Sequence, residues 1–141
     1  LKKYLIASHG KFASGLKSSV QILTGKTQNI TTIDAYLTDQ EVDVGQKVDD
    51  FLKTIKAEDW GIIFTDLVGG SVNREVLLRT NQQSNIFVIT SVNLPTVLSI
   101  MLDTAQPTKE HLQNLINEAP VQLSELDKQN INELSEDEFL L

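Results

Sequence analysis

Residues 60–65, Trp-Gly-Ile-Ile-Phe-Thr, form a run without a single charge. A strand of this composition has no face to offer to water, so both of its faces must be covered. That requirement selects a sheet with helices packed on each side. Residues 3–8 and 86–90 are further strand-like runs, the latter expected to be buried. Residues 29–37, with Ile30, Thr31, Thr32, Ile33 and Tyr36, are rich in β-branched and aromatic side chains and predict another strand. The intervening segments read as helices. Phe12, Leu16, Val20 and Leu23 recur at helical spacing, and Gly25 is a natural stop. Val44, Val48, Phe51, Leu52 and Ile55 mark a second amphipathic helix with Asp43 as its N-cap. Residues 71–79 predict a third, with Val76 and Leu77 turned inward. Leu94-Pro95-Thr96 opens a helix that runs to about Leu102, with proline tolerated in its first turn. Leu112, Leu115 and Ile116 share one face of a helix over 108–118. Strands alternating with helices predict an α/β fold: a doubly wound, mostly parallel sheet with helices on both faces.

A chain of 141 residues suffices for one domain with a substantial core and is short for two. Residues 1–120 carry the alternating pattern. Residues 121–141 differ: Lys128 stands alone against Glu125, Asp127, Glu133, Glu136, Asp137 and Glu138, and apolar side chains are sparse until Phe139-Leu140-Leu141. This tail is expected to form a peripheral strand or helix that docks on another subunit. The net charge of -7 argues against a nucleic-acid partner, which requires a basic face, and against adhesion to an anionic membrane. Absence of cysteine excludes disulfides and thiolate chemistry and fits a cytoplasmic protein. Lys2 and Lys3 precede an apolar stretch too short for a signal peptide. The uncharged run 80–102 is broken by Gln82, Gln83, Asn85, Asn93 and Pro95, and reads as loop, strand and helix start, not as a membrane span.

The chemistry concentrates at two strand ends. His9 closes the first apolar run and is followed by Gly10; Asp66 closes the central run and is followed by Leu67-Val68-Gly69-Gly70-Ser71. In open parallel sheets, ligands gather beyond the carboxyl ends of the strands, where the strand order reverses. If the first strand lies between the second and third, His9 and Asp66 meet at that point. A carboxylate accepting from Nδ1 fixes the tautomer and leaves Nε2 as an outward nucleophile. Gly69 and Gly70 allow close backbone approach, and Ser71 opens a helix whose amides favour an anion. Each feature alone is more often structural: a lone histidine at a strand end is usually a hydrogen-bonded residue, and Gly-Gly-Ser is a weak turn signal. Their convergence on one sheet edge carries the functional reading. His111, beside Glu110, is expected on a solvated face, as are Asp49-Asp50 and the acids 136–138. No set of His, Asp and Glu has metal-ligand spacing, so neither a metal nor a cofactor is expected.

The segment Ser8-His9-Gly10-Lys11-Phe12-Ala13-Ser14-Gly15-Leu16 resembles the active-site start of the mannose-family enzyme IIA domains of the bacterial phosphoenolpyruvate-dependent sugar phosphotransferase system. Thr65-Asp66-Leu67-Val68-Gly69-Gly70-Ser71 resembles their second motif, T-D-x-x-G-G-S. The resemblance covers about residues 3–120. It implies a phosphotransferase: a phosphoryl carrier that accepts the group from the phosphohistidine of HPr and passes it to a IIB domain, with a membrane permease involved only indirectly. By position, it implies that His9 is phosphorylated at Nε2, that Asp66 orients it, and that Ser71, with Gly69 and Gly70, holds the phosphoryl group. It further implies a homodimer, in which the tail 121–141 supplies an exchanged C-terminal strand. The sequence departs from the family where many members have proline after Gly-Gly-Ser: here Ser71-Val72-Asn73 has none, and Asn73 comes one position early, so Asn73 is left out of the site. The alternative is a regulatory or small-ligand-binding domain of the same fold. A magnesium-binding receiver would need acids where Ser8-His9 stands, and a flavin or nucleotide binder would need a hydroxyl-rich loop where Gly10-Lys11-Phe12-Ala13 stands.

Overall fold

A computed structural model describes residues 1–126. Among these residues four parallel strands form one sheet: β1 (Lys2–His9), β2 (Ile30–Ala35), β3 (Trp60–Thr65) and β4 (Ile86–Ile89), in the order β2-β1-β3-β4. Five helices alternate with them: α1 (Phe12–Thr24), α2 (Val44–Lys53), α3 (Ser71–Thr80), α4 (Leu94–Leu102) and α5 (Lys109–Asn117). The two central strands divide their side chains by parity. Tyr4, Ile6, Ile62 and Phe64 pack against α1, α4 and α5 through Ala13, Leu16, Val20, Val97, Ile100 and Leu112. Leu5, Ala7 and Ile63 face α2 and α3 through Val44, Val48, Phe51, Val72 and Val76. This is the doubly wound arrangement expected from the sequence. Each large apolar side chain fully buried in either layer contributes about 1.5–3 kcal/mol.

Local signals bound the helices, at Asp43 and Gly25 as the sequence suggests. Asp43 accepts from the Gln46 amide at 3.0 Å, Asn93 from the Thr96 amide at 2.9 Å, and Thr108 from the His111 amide at 3.1 Å. Gly25 closes α1 at φ +67°. The helix α1 has no cap at Lys11; instead Ser8, at the end of β1, accepts from the Ala13 amide at 2.7 Å.

Several expectations are corrected. The second strand is shorter than residues 29–37: it stops at Ala35, because Tyr36 turns to φ +60°, a conformation that costs a non-glycine residue about 1–2 kcal/mol. Among the described residues the strand β4 is an edge, paired on one side only, and its middle residues are half-buried. Leu77 is half-exposed; Val72, Asn73, Val76 and Thr80 face inward, and Leu77 lies about 100° round the helix from Val76. His111 is no free surface residue: its Nε2 lies 2.8 Å from Asp103 Oδ2, because the turn after α4 brings Asp103 against the first turn of α5. Asp49 is likewise tied, 3.2 Å from Arg79 Nε, while Arg79 also pairs with Glu75 and lies over Gly45, clamping α2 to α3. Residues 121–126 form no regular element, and the remainder of the tail, with the expected exchanged strand, lies outside the described residues. Among the described residues no helix is long and apolar enough to cross a membrane.

Candidate functional site

The register of the sheet builds the site. Ala7 of β1 lies opposite Thr65 of β3, so the chain positions that follow, Ser8-His9 and Asp66, leave the sheet side by side. One carboxylate oxygen, Asp66 Oδ2, accepts twice from the same residue: from the His9 backbone N–H at 2.8 Å and from Nδ1 at 2.9 Å. The other oxygen accepts from the Leu67 amide at 3.0 Å. With Asp66 ionised, Nδ1 must carry the hydrogen, and Nε2 keeps its lone pair. Burial pushes the Asp66 carboxyl up, but the His9 backbone N–H, the His9 ring and the positive charge the ring can carry outweigh it, holding the carboxyl below its ordinary value. The Asp66 side chain is 14% exposed and the His9 ring 40%, so the acceptor is shielded while the imidazole reaches solvent.

Two turns shape the surroundings. Gly10, at φ +59°, donates its N–H to the Ala35 carbonyl at 2.7 Å, which bends the chain off β1 and onto α1. Gly69, at φ +71°, permits the turn into α3. Gly70 is the N-cap of α3, and a Cβ there would stand 3.5 Å from His9 Cε1, so the helix start lies directly against the imidazole. Ser71 is the first residue of α3. The free amides of a helix start attract an anion. Phe12, the first residue of α1, and Leu67 and Val68, in the turn before α3, are all exposed. Among the described residues, no three His, Asp or Glu side chains converge to hold a metal.

The structure thus brings together all five residues singled out in the sequence: His9, Asp66, Gly69, Gly70 and Ser71. Asn73 serves the frame: it is buried, and its Oδ1 accepts from the wholly buried Thr65 hydroxyl at 2.8 Å, tying α3 to β3. Asn73→Ala strands that hydroxyl, at a cost of about 1–3 kcal/mol. Thermal unfolding should show a midpoint lower by roughly 3–10 °C; an unchanged midpoint would remove this link from the frame. Sequence reasoning missed Tyr36. Its ring centroid lies 5.1 Å from that of His9, tilted by 32°, and its hydroxyl donates to Ser71 Oγ at 2.8 Å. The available signal was its position, since it leaves the carboxyl end of the strand next to β1. Sequence reasoning also missed Asp34, whose Oδ1 accepts from the Ser14 amide at 3.0 Å and steadies the first turn of α1.

Comparison with known proteins gives a consistent pattern. The sequence model of the family described as PTS system fructose IIA component matches residues 3–118. A candidate permease of the phosphoenolpyruvate-dependent sugar phosphotransferase system from Klebsiella pneumoniae is similar in structure, with a TM-score of 0.72 and 33% identity over 82% of this chain and 84% of that one. The mannose/sorbose-specific IIA subunit from Enterococcus faecalis has a TM-score of 0.71 at 18% identity, over 89% of this chain and 98% of that one. The IIA protein associated with the fucose utilization operon of Streptococcus pneumoniae has a TM-score of 0.67 at 24% identity, over 85% and 92% respectively. At these lower identities the likeness is one of fold. No curated protein matches the sequence.

Proposed function

We propose a function from the premise that this chain belongs to the PTS system fructose IIA component family. Membership carries a phosphoryl-carrier role in sugar uptake. On that basis His9 accepts a phosphoryl group at Nε2 from the phosphohistidine of HPr and passes it to a IIB domain. The observation that carries this reading is the 2.9 Å contact between His9 Nδ1 and Asp66 Oδ2. It leaves Nε2 unprotonated for attack, and it stabilises the positive ring that results.

The transfer is an in-line displacement. The Nε2 lone pair forms the new N–P bond as the N–P bond to the donor imidazole breaks and that ring recovers its electron pair. Chemistry of this kind needs positioning and charge stabilisation more than covalent participation. Ser71 and the amides following Gly69 and Gly70 supply the anion site. The apolar rim of Phe12, Leu67 and Val68 is suited to two partners that dock in turn, since a modest interface exchanges readily.

The reading extends to assembly. The outer edge of β4 lies in a groove of about 480 Å³ lined by Leu77, Phe87, Val88, Leu112 and Ile116. An edge unpaired among the described residues, beside the exposed Leu77 and the half-buried Phe87, Val88 and Ile116, favours association with a second copy of the chain. A homodimer in the cytoplasm, where carriers driven by phosphoenolpyruvate meet, completes the proposal. Sedimentation at micromolar concentration should give a dimer, and a monomer across that range would remove this part.

The carrier reading is tested by incubating the protein with phosphoenolpyruvate, enzyme I and HPr and measuring intact mass before and after mild acid. The expected result is an acid-labile gain of one phosphoryl group, discharged when a cognate IIB is added. No gain beside a working reference IIA protein overturns the reading in favour of a regulatory or small-ligand-binding domain.

A further inference from the structure

Tyr36 occupies an unusual place for an aromatic residue. It sits at φ +60°, where glycine would fit without strain, and its side chain is more than half exposed, so burial does not explain it. From the end of β2 it crosses the end of β1 and reaches the start of α3. Along that path its ring lies against His9 and its hydroxyl donates to Ser71 Oγ. A phenol is the more acidic and therefore the better donor of two hydroxyls, so the Tyr36 hydrogen fills one acceptor site of Ser71. The Ser71 hydrogen is then left for another acceptor. A hydroxyl that accepts a hydrogen bond becomes a stronger donor in turn.

We infer that Tyr36 is a positioning residue for phosphoryl transfer: it polarises and orients the Ser71 hydroxyl toward a phosphoryl oxygen on His9, while its ring covers one side of the imidazole. This rests on the carrier reading of His9 and assigns the Ser71 contact a supporting partner. The relay is Tyr36 O–H to Ser71 Oγ, then Ser71 O–H to the phosphoryl oxygen. No bond other than hydrogen bonds changes at Tyr36 during transfer.

A double-mutant cycle tests it, using Tyr36→Phe, Ser71→Ala and the combined protein, with single-turnover phosphorylation by phospho-HPr as the readout. Tyr36→Phe keeps the ring and removes only the hydroxyl, so the thermal midpoint should stay close to that of the parent. The transfer rate at saturating phospho-HPr should fall about three- to tenfold, the worth of one neutral hydrogen bond, with little change in the concentration giving half-maximal rate. Added to Ser71→Ala, the same substitution should have no further effect, because the relay is already broken. A Tyr36→Phe protein as fast as the parent overturns the inference, and so do losses that simply add. A parent protein that takes no label overturns the carrier reading itself, which separates the two failures.

Discussion

Replacing His9 with alanine should abolish phosphoryl acceptance from phospho-HPr, leaving no acid-labile mass gain at protein concentrations that label the parent fully. The loss is complete because the proposed nucleophile itself is removed. The chain has one other histidine, His111, and it cannot substitute. Its Nε2 is held by Asp103, and the carbonyl of Asp103 accepts from Lys2 at 3.0 Å, at the opposite end of β1 from His9. The eight-residue strand β1 separates those ends, a span of roughly 23 Å. His111→Ala should therefore label like the parent. The fold should survive in His9→Ala: Asp66 keeps two of its three donors, the backbone N–H groups of residue 9 and Leu67. Removing the third costs about 1.5–3 kcal/mol. An acid-labile gain that persists in His9→Ala would place the phosphoryl group elsewhere and dismantle the assignment.

Asp66→Asn should slow transfer by about a hundredfold, the upper end of what one charge-assisted hydrogen bond is worth. Two effects combine. The amide can turn its oxygen toward His9, but its NH2 group then meets the Leu67 N–H, donor against donor. Turned the other way, it presents NH2 to Nδ1, the ring takes the tautomer with hydrogen on Nε2, and the nucleophile is lost. In either orientation the negative charge that stabilises a phosphorylated ring is gone. Rapid-quench transfer from phospho-HPr measures the loss, and equal rates in the two proteins would remove Asp66 from the mechanism.

The same substitution should change how stability depends on pH. The folded protein holds the Asp66 carboxyl below its ordinary value of 3.8. A group with a lowered folded value binds fewer protons folded than unfolded, so its contribution is fully present above the ordinary value and is lost as pH falls through the folded one. The gap in thermal midpoint between parent and Asp66→Asn should therefore be widest near neutrality and close below about pH 4. A gap that stays constant to pH 3 would mean that the carboxylate does not contribute through its charge.

Much of this architecture is legible in the chain itself. The uncharged run 60–65 demanded cover on both faces and received it from α1, α4 and α5 on one side and from α2 and α3 on the other. Asp43 and Gly25 acted as cap and stop because such preferences are set by the local backbone. The readings that failed share a different cause. Residues 29–37 look like a strand throughout, since β-branched and aromatic composition continues to Tyr36, yet the strand stops where the chain must turn over His9. Leu77 looks like core by composition, yet α3 has only one buried face and Val72, Val76 and Thr80 occupy it.

What the sequence determined alone was the layer order and the edge on which chemistry gathers. Periodicity reports which side of a strand or helix is dry, and the doubly wound topology then places His9, Asp66 and the Gly69-Gly70-Ser71 turn together. Tertiary structure decided the pairings. That a single Asp66 oxygen serves both His9 donors, that Tyr36 reaches Ser71 across 35 residues of chain, that His111 finds Asp103 and that Arg79 bridges Asp49 to Glu75 depend on where side chains end in space. A hydrogen bond requires its partners within about 3 Å and aligned, a condition set by sheet register and helix packing and carried by no local pattern of residues.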